Sequence, residues 1–160
     1  MERLPKDRVR TPHSRRRQQV NLAAKTEYAC LAALDLAAHH DSVEPVRIRD
    51  IADRHGIPAR FLVQILLQLK GAGLVSSTRG ASGGYQLARA PEEISLGEVI
   101  TVMEGRPGAP QSSATKQTPA IRVLLNTWRH AMESQYDLLD SCTLAELAER
   151  ARGETEMYYI

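Results

Sequence analysis

The sequence predicts a mainly α fold that carries one two-stranded hairpin and ends in a long amphipathic helix. Three observations support it. Hydrophobic residues make up 42% of the 160 but aromatic residues only 4%, so Leu, Ile, Val and Ala must fill the core, a composition that suits packed helices. Between Val46 and Ala88 the chain reads VRIRDIADRHGIPARFLVQILLQLKGAGLVSSTRGASGGYQLA, two short helical patterns parted by Gly56 and followed by a Gly-rich hairpin. From Thr118 to about Ser141, apolar residues recur at steps of three and four.

Whole-chain properties narrow the function classes. No run reaches the roughly 18 uncharged apolar residues of a membrane span, and the Arg-rich start lacks the apolar stretch of a secretory signal. Cys30 and Cys142 lie far apart in helix-like contexts, so no disulfide framework is expected and a bacterial-type cytoplasm is the expected compartment. The net charge of +2 conceals a gradient: residues 1–19 carry net +5, residues 20–90 net +2 and residues 91–160 net −5. A polyanion is drawn to the first half and repelled by the second.

Residues 1–19, MERLPKDRVRTPHSRRRQQ, are nearly free of apolar residues. They read as a disordered basic arm able to track DNA phosphates, or as an extension absent from a product that starts near Val20. From Lys25 to His40, Tyr28, Leu31, Leu34 and Ala38 fall at helical spacing, with Thr26 as the expected N-cap and His39–His40 at the end. Cys30 in this Ala-rich run reads as a small buried hydrophobe. Ile48, Ile51 and Ala52 give a two-turn helix that stops at Gly56, suited to a left-handed turn. Pro58 then opens a helix to about Ala72 that buries Leu62, Ile65, Leu66 and Leu69 and shows Arg60, Val63, Gln64, Leu67 and Gln68.

Helix, Gly turn, helix is the arrangement whose second helix enters the DNA major groove. Arg and Gln near the start of that helix suit base reading, because Arg pairs with guanine and Gln with adenine through two hydrogen bonds. The hairpin strengthens the reading. Leu74–Thr78 and Gly84–Leu87 make two short strands around Arg79-Gly80-Ala81-Ser82-Gly83, a loop that presents one guanidinium to a narrow minor groove. A nucleotide-phosphate loop would follow a buried strand, open a helix and end in Gly-Lys-Ser/Thr, and this loop does none of these. The expected fold class is therefore a winged helix-turn-helix with a two-stranded wing plus a long C-terminal dimerisation helix.

Beyond the wing, Ser95-Leu96-Gly97-Glu98 is a capping box opening a short helix that ends at Gly105. Residues 106–118, RPGAPQSSATKQT, read as a flexible loop. Thr118-Pro119 caps the long helix, whose stripe is Ile121, Leu124, Leu125, Trp128, Met132, Tyr136 and Leu139. Such a stripe calls for a partner helix, and a homodimer is the natural one. Thr143-Leu144-Ala145-Glu146 is a second capping box, starting a short last helix within 119–152 and leaving 153–160 as a tail.

These residues carry a resemblance. KTEYACLAALDLA, IADRHGIPARFLVQILLQLKGAGLVSSTRGASGGYQLARAPEEISLGEVI and the closing TLAEL resemble the Rrf-two family of bacterial winged-helix transcription regulators, which includes the iron–sulfur cluster regulator and the nitric-oxide-sensitive repressor. The match covers 20–105 almost without a gap and 119–148 more loosely. The resemblance implies a homodimer with crossed long helices, acting on a palindromic double-stranded operator. It places Ala59, Arg60, Phe61 and Gln64 at or near base-reading positions, Arg79 and Gly80 at the wing tip, and Tyr28, Ser76, Ser77 and Thr78 against backbone phosphates. At Val63 some members carry a polar reader, whereas Val meets at most a thymine methyl.

The sensor departs from the family. Members with a cluster hold three Cys in the loop before the long helix, and residues 106–118 contain neither Cys nor His. Where some relatives place a His ligand, Leu125 stands three residues before Trp128. No cluster and no cofactor is expected. Four inputs remain: none, a regulatory partner protein, a small ligand near Trp128 and Met132, or thiol oxidation at Cys142, whose plainer reading is a structural residue. The competing function is a winged-helix protein-interaction module that has lost specific DNA binding. An enzyme is not expected, since His13, His39, His40, His55 and His130 are scattered and no metal or nucleophile grouping stands out.

Overall fold

The computed structural model describes residues 22–158, so the basic arm at 1–19 lies outside the described residues. Helix α1 (Ala24–Ala38) is the axis of the fold and packs against three later helices, α3 (Ala59–Gly71), α4 (Leu96–Glu104) and α6 (Leu144–Tyr158). Its closest-packed residues are small: Ala29, Ala32 and Ala33 are buried beside Leu36, which lets three helices approach one cylinder. The predicted stripe of Tyr28, Leu31, Leu34 and Ala38 forms the flank of this face, the first three being half-buried and Ala38 exposed.

Thr26 does not cap α1. The helix starts at Ala24, with Ala23 as a cap that uses no side chain. Thr26 is buried within the first turn, and its hydroxyl donates to Glu104 Oε1 at 2.5 Å. The hydroxyl that could have capped the helix instead ties the start of α1 to the end of α4.

Helix α2 (Ile48–His55) ends at Gly56 in the left-handed region, φ 63° and ψ 32°, where any side chain would be strained. Helix α3 follows with Pro58 as the N-cap rather than the first helical residue. Leu62, Ile65, Leu66 and Leu69 are its buried face. Helix α2 is fixed to α1 by an ion pair that periodicity cannot reveal. Arg54 donates Nε and Nη2 to the buried Asp35 carboxylate at 3.2 and 2.8 Å.

Strands β1 (Val75–Thr78) and β2 (Gly84–Leu87) pair antiparallel, Val75 opposite Leu87 and Thr78 opposite Gly84. Val75 and Leu87 anchor the hairpin in the core. A 3₁₀ turn (Pro91–Glu93) leads to α4, where Ser95 and Glu98 make both bonds of a capping box. Thr118 caps α5 (Pro119–Ser141), and Thr143 and Glu146 make the second capping box, opening α6. The two boxes sit against each other: Leu96 N–H donates to Cys142 O at 2.8 Å and Leu144 N–H to Ile94 O at 2.9 Å. Two local helix starts thereby close the chain on itself.

Helix α6 is longer than its sequence suggests. It runs through Gly153 to Tyr158 instead of ending before a tail. A Gly inside a helix costs about 1 kcal/mol and breaks nothing by itself. Arg152 pairs with Glu149 and Thr155 bonds the Ala151 carbonyl across this stretch. Helix α5 contrasts with the rest, because none of its residues is fully buried and it packs chiefly on α4. Residues 106–118 contain no helix or strand. Among the described residues no helix is long and apolar enough to cross a membrane.

Candidate nucleic-acid interface

At about 100° per residue, the buried residues of α3 leave a face centred on Arg60, Gln64 and Leu67, all exposed. Ala59 and Gln68 are exposed at its margins. One flank meets α1, where the Tyr28 and Phe61 rings lie 6.2 Å apart and the Arg60 guanidinium lies 4.9 Å over Phe61. The fold thus brings Tyr28 of α1 to Phe61 of α3, which Arg60 covers, although no local pattern pairs the two rings. The other flank meets the wing, where Lys70 Nζ donates to Ser77 Oγ at 2.6 Å.

The wing splits the Ser76–Thr78 group. Successive strand residues face opposite ways, so Ser76 and Thr78 are exposed while Ser77 is half-buried and held by Lys70. Arg79 and Gly80 sit at the exposed tip, Gly80 with φ 107°. Among the described residues Arg79 makes no ion pair or side-chain hydrogen bond. A groove of about 390 Å³ between α3 and the wing is lined by Arg47, Leu67, Lys70, Thr78, Arg79 and Tyr85. Three cations therefore border one concave surface beside the exposed face of α3, a setting that attracts a polyanion. Arg47 and Lys70 are absent from the residues the sequence singles out, since neither falls on an apolar period.

The stripe predicted for dimerisation is divided by the structure. Leu139 packs against the chain's own core. Met132 and Tyr136 lie under the start of the 106–118 loop, where Arg106 covers the Tyr136 ring at 4.9 Å and pairs with Asp140. Leu125 is half-buried and borders Pro110, and Ile121 is half-buried near the start of α5. Leu124 and Trp128 remain about 60% exposed, as does Leu138 at 65%, a residue outside the predicted stripe. Trp128 and Met132 border different grooves rather than one ligand pocket.

Residues 22–150 match the Rrf2 family, described as iron-dependent transcriptional regulators. This chain belongs to the Rrf2 family. It is 34% identical over 139 residues to the HTH-type transcriptional regulator CymR of Bacillus subtilis, spanning 87% of this chain and 97% of that one. It is 37% identical over 131 residues to the HTH-type transcriptional regulator IscR of Erwinia tasmaniensis, covering 80% and 78%. The solved structure of CymR, the global cysteine regulator of B. subtilis, superposes with a TM-score of 0.70 at 34% identity over 82% of this chain and 98% of that one. T. potens IscR gives 0.68 at 34% identity, over 83% and 89%. The winged helix fold and membership among transcriptional regulators, not enzymes, follow.

The donor set does not fit the iron chemistry in the family's description. Residues 106–118 supply no thiolate and no imidazole. Cys30 is buried in α1, and burial, with a smaller push from the Glu104 carboxylate, raises its thiol to about 11. Cys142 stands at the end of α5, outside the loop. Among the described residues no group of three or more His, Cys, Asp or Glu side chains is placed to hold a metal ion. A cluster requires several thiolates in one place.

Proposed function

We propose that this Rrf2-family regulator acts as a homodimeric repressor that reads a palindromic double-stranded DNA operator. One observation carries the reading: the exposed α3 face that bears Arg60 and Gln64 continues to Leu67, and Leu67 lines one groove together with Arg47, Lys70 and, from the wing, Arg79, which has no ion-pair partner among the described residues. A helix in the major groove and a wing in the neighbouring minor groove must have one phosphate strand between them, and this groove is where that strand fits. Arg60 and Gln64 read bases, with Ala59 and Phe61 beside them. Arg79 and Gly80 enter the minor groove, and Tyr28, Ser76 and Thr78 touch phosphates.

The second copy meets Leu124, Trp128 and Leu138, large apolar side chains of α5 that stay exposed in the single chain. Two copies related by a two-fold axis present two α3 helices, which matches a palindromic site. Occupancy of that site excludes other proteins from the same DNA, and repression follows from it. With no thiolate set in the loop, control comes from a partner protein or a small ligand rather than a bound cluster.

Fluorescence anisotropy with DNA fragments from around its own gene tests the reading. Binding is expected to be sequence-specific, with Arg79→Ala costing about 1–3 kcal/mol. Sequence-independent binding unchanged by Arg79→Ala would support the alternative, an interaction module that no longer reads DNA. If the basic arm touches phosphates, removing residues 1–19 lowers the salt slope of log K by about 0.9 for each phosphate that the arm neutralises.

A further inference from the structure

We propose that Arg47 is a positioning residue that fixes where the wing presents Arg79 to DNA; the inference rests on the DNA-reading function above. The wing tip, residues 79–83, is tied to the body by one hydrogen bond among the described residues. Arg47 Nη2 donates to the Ala81 carbonyl at 2.8 Å, across 34 positions of sequence. Among the described residues, the other hydrogen bond made by these five residues is internal, Gly83 N–H to Gly80 O at 3.0 Å.

Arg47 is itself held firmly. It is the N-cap of α2, and its carbonyl accepts from Asp50 N–H at 3.0 Å and Ile51 N–H at 3.2 Å. The preceding residue, Val46, pairs with Tyr85 of β2 through two backbone bonds of 2.9 and 2.8 Å. Gly84 makes that pairing possible, because a Cβ there would stand 2.5 Å from Val46 O. The segment before α2 is thus seated against the base of the wing, and Arg47 reaches from it to the tip. Lys70 holds the wing from the α3 side through Ser77.

This geometry separates two jobs among the three cations of the groove. Lys70 and Arg47 are engaged with the wing, and Arg79 is left free. A loop whose direction is set before binding loses less conformational freedom when its Arg enters a groove. The planar guanidinium fork, with five donors, can keep the Ala81 bond while also facing a phosphate. Arg47 therefore acts on base preference through Arg79, besides any charge it offers.

A double-mutant cycle tests this on the full chain, by anisotropy at fixed salt. The DNAs are the operator with A·T flanks and the same operator with G·C flanks. Arg79→Ala is expected to weaken A·T-flanked binding about tenfold in the wild-type background but only about twofold in Arg47→Ala, since the two act as a unit. Arg47→Lys should restore much of the coupling. The same tenfold cost in both backgrounds would overturn the proposal while leaving DNA reading intact. A wild-type protein with no sequence preference would instead defeat the DNA reading itself. A measurement without DNA stands beside the cycle: amide exchange at Gly83 should accelerate in Arg47→Ala with the thermal midpoint unchanged, and unaltered exchange there would also overturn the proposal.

Discussion

The Arg106 guanidinium lies 4.9 Å over the ring of Tyr136 and forms an ion pair with Asp140, one helical turn further along α5. The first residue of the 106–118 segment is therefore clamped to the C-terminal part of the long helix. In a chain without loop thiolates, side-chain contacts of this kind are what hold the loop to α5. Replacing Arg106 with Ala should raise amide exchange and protease cleavage across 106–118. Because Arg106 is a surface residue, the midpoint of global unfolding should hardly move. Unchanged loop protection would show that the clamp does not order the segment.

The same Asp140 lies against Gly97 of α4. A Cβ on Gly97 would collide with the Asp140 side chain and stand 2.9 Å from its backbone nitrogen. Helix α4 can approach α5 this closely only with Gly at position 97. Gly97→Ala should push the helices apart and destabilise the fold by about 1–3 kcal/mol, the usual cost of overpacking. Thermal unfolding measures it, and a stabilised variant would contradict the packing described.

Cys30 gives a pH dependence with a definite sign. Its thiol is raised to about 11 by burial and then by Glu104, so the folded protein holds this proton more tightly than the unfolded chain. The stability it contributes is fully present below the unfolded value near 9 and is lost as pH rises through about 11. Between those values wild type should lose up to roughly 2–3 kcal/mol more stability than Cys30→Ala. Iodoacetamide at neutral pH should label the half-buried Cys142 well before the buried Cys30 in the folded state, since a buried thiol is shielded from the reagent.

Helix α5 shows Leu124, Trp128 and Leu138 to solvent, each about 60% exposed or more. Light scattering should report a dimer, and Leu124→Asp with Trp128→Glu should give a folded monomer with much weaker operator binding. A wild-type monomer would remove the role given to this face. A double variant that stays dimeric would move the interface elsewhere.

The parts legible in the sequence are those whose signal is local. Gly56, the Arg79 hairpin and the boxes at Ser95 and Thr143 each declare themselves within four or five residues, and each forms where expected. What escapes depends on distant partners. Thr26 has the look of a cap, but its hydroxyl is claimed by Glu104, 78 positions away. Asp35 with Arg54 and Arg47 with Ala81 leave no periodic trace. The α5 stripe reads as one face, whereas the loop and α4 cover its Met132, Tyr136 and Leu139 side and leave Leu124, Trp128 and Leu138 open. Spacing along one helix cannot tell a face covered by its own chain from a face left for another.

In vitro selection of bound double-stranded DNA tests whether α3 and the wing together read an operator. The expected enrichment is of a dyad-symmetric site, with bases fixed in two half-sites where α3 lies and an A·T bias where Arg79 enters the minor groove, lost in Arg79→Ala. Selection that enriches no sequence, or one without dyad symmetry and indifferent to Arg60, Gln64 and Arg79, would contradict that reading.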